Sequence, residues 1–67
     1  MLDKQEIEQK LMKLLESMDL PEMRRDVTRE SNLRWLGRNM MVRNSEHPDA
    51  REARVLARTL LRMNSNS

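Results

Sequence analysis

The chain has 67 residues, 36% of them charged, with no cysteine, phenylalanine or tyrosine and a formal net charge of +2. That length suits one small domain and leaves little room for a deep substrate cleft beside a core, so an enzyme is not expected; without cysteine, neither disulfides nor thiolate metal sites can staple the fold. No run approaches the ~18 apolar residues of a membrane span, and the opening residues lack the basic-then-apolar pattern of a secretory signal, which makes a cytoplasmic protein with no membrane partner the expectation.

Three helical stretches follow in order, and no segment alternates as a strand would. The first is predicted over residues 4–18, with Asp3 as N-cap and Glu6 three residues on. Its apolar residues Ile7, Leu11, Leu14, Leu15 and Met18 recur at three-four spacing and form a narrow seam. Pro21 forces the residue before it out of the helical region and ends this stretch. Residues 21–26 read as a short helical turn whose only large apolar residue is Met23. The second helix is predicted over residues 31–43, capped by Thr28 or Ser31.

In that second helix Leu33, Leu36 and Met40 share a face, with Gly37 and Met41 at its edge. A glycine in an exposed helix interior costs about 1 kcal/mol against alanine, so Gly37 is expected to admit a close helix crossing. Trp35 and Val42 project from nearly the opposite side. A helix apolar on two faces is either the central helix or meets another chain, and a homodimer is among the expectations. Asn44 suits the left-handed C-cap, and Pro48 starts the third helix where its missing amide hydrogen costs nothing. Ala50, Ala53, Leu56, Ala57, Leu60 and Leu61 form that helix's apolar face. Residues 1–63 are thus one all-α, three-helix domain, with the second and third helices as an antiparallel hairpin and the first packed across it or exchanged in a dimer. Residues 64–67 read as a disordered polar tail.

Charge divides unevenly. Residues 1–20 hold three lysines against five acids, a balance of −2, and the rest hold ten arginines against six acids, a balance of +4. An acidic first helix pairing with a basic remainder is one way to read this division. Four arginines, Arg51, Arg54, Arg58 and Arg62, fall three and four apart on one stripe of the third helix. Each guanidinium presents a planar fork of donors suited to phosphate or carboxylate.

Two binding readings follow, and both are non-enzymatic. In the leading one the chain is a small helical adaptor or regulator that engages a protein partner through Arg34, Trp35, Arg38 and Val42, with the aromatic ring as anchor. In the alternative it is a nucleic-acid-binding regulator that contacts phosphates through Arg51, Arg54, Arg58 and Arg62. Helix-turn-helix insertion is disfavoured, because Asp49 and Glu52 occupy the turn that would have to face the groove. Side-on contact with the backbone escapes that objection. His47 has no companion at metal-ligand or triad spacing, and no Gly-rich phosphate loop or nucleophile motif is present, so no cofactor, metal or catalytic residue is expected. The seven methionines are explained mainly as core filling in a chain short of aromatics.

Overall fold

The computed structural model describes the backbone of residues 3–43 and 46–65, and the side chains of these residues except 41–43. Within them the chain is all-α, with three helices: α1, Lys4–Leu15; α2, Glu30–Arg43; and α3, Ala50–Ser65. A 3-10 turn over Glu22–Arg24 lies between the first two. No strand occurs among the described residues.

Each helix begins where local chemistry supplies an acceptor for its free amides. Asp3 has extended backbone, and its carboxylate accepts from the Glu6 amide at 2.8 Å, the N-cap expected from the sequence. α1 stops at Leu15, three residues short of expectation. The Met18 amide bonds back to the Leu15 carbonyl and the Ser17 hydroxyl to the Leu14 carbonyl, so the last turn tightens before the chain leaves the helix axis.

Before α2, Asp26 accepts from both the amide and the hydroxyl of Thr28, and the Leu33 amide reaches the Arg29 carbonyl. Thr28 is therefore spent on the preceding turn, and helical bonding starts from Arg29 rather than from Thr28 or Ser31. Before α3, His47 Nδ1 accepts from the Asp49 amide at 3.1 Å and the His47 carbonyl from the Ala50 amide. Pro48 stands inside this turn. Asn44, the expected cap of α2, lies outside the described residues.

The order of packing differs from expectation in one respect. The central helix is α3, not α2: α2 packs closely on it as the hairpin partner, and α1 packs on α3 rather than across the pair. The reason is size. Ala50, Ala53 and Ala57 are fully buried on α3 and let two neighbours approach the same helix. Ser17, just past α1, meets His47, just before α3, and Lys10 meets Glu52, so α1 runs antiparallel to α3.

One continuous core results, built from Ile7, Leu11, Leu15 and Met18 of the first helical stretch, Leu33, Leu36 and Met40 of α2, and the α3 alanines with Leu60. Leu20 and Val27, which lie outside any helix, are also buried in it. Leu56, expected on the apolar face of the third helix, is only half-buried and lies at the core's margin. α3 continues to Ser65, whose hydroxyl bonds to the Leu61 carbonyl, so the first two residues of the expected polar tail are helical.

Candidate binding surface on α2 and α3

The arginines sort into two groups by what they touch. Arg25 is spent on the fold: its guanidinium donates to the carbonyls of Leu15 (2.8 Å), Met18 (2.9 Å) and Leu20 (3.4 Å), closing the C-terminal end of α1. Arg24 bonds Asn32 at 3.4 Å, and its Cζ lies 5.2 Å from the centroid of the Trp35 ring. Arg29 pairs with Asp26 and Arg34 with Glu30. By contrast, Arg38, Arg51, Arg58 and Arg62 are exposed, and none has an acidic partner among the described residues.

The four-arginine stripe of α3 is therefore not uniform. Arg54 is half-buried, and its Nε donates to the carbonyl of Gly37 on α2 at 3.2 Å. Arg58 keeps its charge outside but lays its stem over the same residue: a Cβ built on Gly37 would sit 3.5 Å from Arg58 Cγ and 3.7 Å from Nε. These are ordinary contact distances. Gly37 thus faces α3 but does not serve the close helix crossing expected of it, since only the Arg58 side chain lies over it and a methyl group would fit.

Arg51 and Arg62 continue outward on either side, with Val55, 55% exposed, between them. On α2, Arg34 and Arg38 are exposed on the side flanking the Gly37 seam. The outer surface of the hairpin is thus a cationic face made by both helices. Its one α2 acid is Glu30, already paired with Arg34, and Glu52 of α3 turns to α1, where it meets Lys10 at 3.1 Å. The only ion pair between helices among the described residues therefore joins a lysine of α1 to a glutamate of α3. An acidic α1 pairing with the arginines is not what forms.

Trp35 occupies the other edge of α2. At 100° per residue it points nearly opposite to Gly37. The ring is half-buried, packs on the core margin, and carries Arg24 over its face. Arg34, Trp35 and Arg38 thus share the outer half of α2, as the sequence suggested, with Arg24 as a neighbour the sequence did not reveal. The side chain of Val42, the fourth member of that set, lies outside the described residues.

Among the described residues there is no cavity, and no three His, Cys, Asp or Glu side chains are grouped as ligands. His47 serves the fold: Nδ1 accepts the Asp49 amide, which leaves the ring proton on Nε2, 3.3 Å from the Ser17 hydroxyl oxygen. Asn32, 3% exposed, donates to the carbonyls of Met23 and Asp26, both at 2.9 Å, and among the described residues no buried side-chain polar atom is left without a partner. Among the described residues no helix is long and apolar enough to cross a membrane.

No protein-family model matches the chain, and neither a curated protein nor a solved structure is similar to it.

Proposed function

We propose that this is a small non-enzymatic binding protein whose α2–α3 arginine face takes the phosphate backbone of a nucleic acid. The observation that carries this reading is the set of four exposed guanidinium groups, Arg38, Arg51, Arg58 and Arg62, that no acid of the described chain neutralises. An exposed ion pair contributes little to folding, so arginines left without one on the surface keep their charge available to a partner. Glu30 and Glu52 are engaged by Arg34 and Lys10, and a polyanion would supply countercharge to the four arginines while releasing its own counterions.

A protein partner anchored on Trp35 is the second reading, favoured by the part of that side chain left exposed three residues from Arg38. It has less support, because Arg24 already covers one face of the ring and an anchor gains most from a side chain it can bury anew. Fluorescence anisotropy with a labelled nucleic acid at low salt separates the two. Replacing Arg51 and Arg62 together by glutamine should weaken binding by about tenfold or more, whereas Trp35→Phe should leave it nearly unchanged. Undiminished affinity in the double variant would refute the arginine reading. Capture of a host protein that resists nuclease and disappears in the Trp35 variant would establish the second.

A further inference from the structure

We infer, resting on the reading just given, that the nucleic acid is double-stranded and is held from outside by its phosphates, with no base stacked or read. Proteins that hold single strands combine positive charge with aromatic platforms on which successive bases lie. This chain has one aromatic residue in all, Trp35. It points away from the Gly37 seam, is half-buried, and has the Arg24 guanidinium over its ring. The arginine face therefore has at its margin, beside Arg38, one ring already covered by Arg24 and packed on the core, and no row of aromatic platforms for successive bases.

Base reading through a groove is opposed by the other end of the site. The residues that would lead α3 into a groove are Asp49, half-buried, and Glu52, held by Lys10. Neither donates to a base edge, and both repel phosphate. What remains is charge alone, and charge density decides between the forms. A duplex carries a phosphate about every 1.7 Å of its axis, more than a single strand presents, so a face that works by counterion release favours the duplex. Arg51 and Arg62 are eleven residues apart, which spreads the α3 row over about 16 Å of helix. The second row on α2 runs beside it at roughly the 8–10 Å spacing of packed helices. The row of Arg51, Arg58 and Arg62 on rigid α3, with Arg38 beside it on α2, holds its charges at fixed spacing and so suits a stiff duplex better than a flexible strand.

An anionic lipid surface shares the phosphate chemistry but fits poorly. Interfacial helices bury an apolar face in the bilayer, and the apolar face of α3 is already buried in the core.

The test compares a duplex of mixed sequence, its separated strand, and vesicles of phosphatidylserine in phosphatidylcholine, all at one low salt concentration, with Trp35 emission recorded during each titration. The duplex should bind about tenfold or more tighter than the strand, A·T-rich and G·C-rich duplexes should agree within about twofold, and Trp35 emission should barely change at saturation. Equal or tighter binding of the single strand, or strong quenching of Trp35, would overturn the inference while leaving phosphate binding by the arginines intact. Binding to vesicles but not to either nucleic acid would overturn both, as would binding to none of the three.

Discussion

Arg54 Nε donates to the carbonyl oxygen of Gly37, so one member of the α3 arginine stripe ties α3 to α2 instead of facing solvent. Arg58 lays its stem over the same residue, with room left for a methyl group at Gly37. The seam thus fixes the relative placement of the two arginine rows. A stripe that looks uniform in spacing contains one structural residue and three whose charge remains outside.

The first expectation follows from that division. Arg54→Ala should lower stability by about 1 kcal/mol, the scale of one partly buried hydrogen bond, while Arg51→Ala should stay within about 0.5 kcal/mol of the parent. Chemical denaturation of the two variants checks this. Equal effects would show that Arg54 is as solvated as its neighbours.

Gly37→Ala should stabilise the protein by about 0.5–1 kcal/mol. The added methyl would meet Arg58 Cγ at 3.5 Å, an ordinary contact, and alanine removes the entropic cost of a glycine in a helix whose backbone here needs no positive φ. A lower unfolding midpoint would mean that the helices are closer at this point than described.

Asn32 links the 3-10 turn to α2, accepting from Arg24 while donating to Met23 and Asp26. Asn32→Ala should cost about 2–3 kcal/mol, since two loop carbonyls lose their donor in a buried setting. Asn32→Asp keeps the shape but removes the donor, so it should be no better tolerated. Thermal unfolding of both variants reads the difference, and a neutral alanine variant would show that water replaces the amide freely.

Acid should weaken the turn before α2. The Thr28 hydroxyl, then its amide, and also the charge of Arg29, hold the Asp26 carboxyl below its ordinary value of 3.8. A folded-state value below the unfolded one means that this stabilisation is complete above about pH 3.8 and is lost as pH falls through the folded value. Asp26→Asn should therefore flatten the acid side of the stability curve below that point. Superimposable acid limbs for the parent and the variant would contradict the assignment.

The helices were legible in the sequence because their signals are local. Ile7, Leu11, Leu15 and Met18 keep the spacing that puts them on one face, Asp3 sits where an N-cap must be, and Pro21 and Pro48 mark the two breaks. The burial of Leu20 and Val27 was not legible, since a residue outside a periodic element carries no phase to say which way it points. Neither were the roles of Arg24 and Arg25. A long flexible side chain reaches carbonyls and rings five to eleven residues away, and spacing does not encode that destination. The central place of α3 did leave a trace, in three alanines at three-four spacing. Its meaning depends on which partners approach, and that is settled only by the whole fold.

The salt dependence of duplex binding tests the central claim most directly. Each phosphate neutralised by an arginine contributes about −0.9 to the slope of log affinity against log salt, so four free guanidinium groups correspond to a slope of about −3.5. Replacing Arg51 and Arg62 by glutamine should bring it to about −2, with the helical signal unchanged. A slope near zero, or one that the double variant leaves untouched, would contradict the assignment of the α2–α3 face as a phosphate-binding surface.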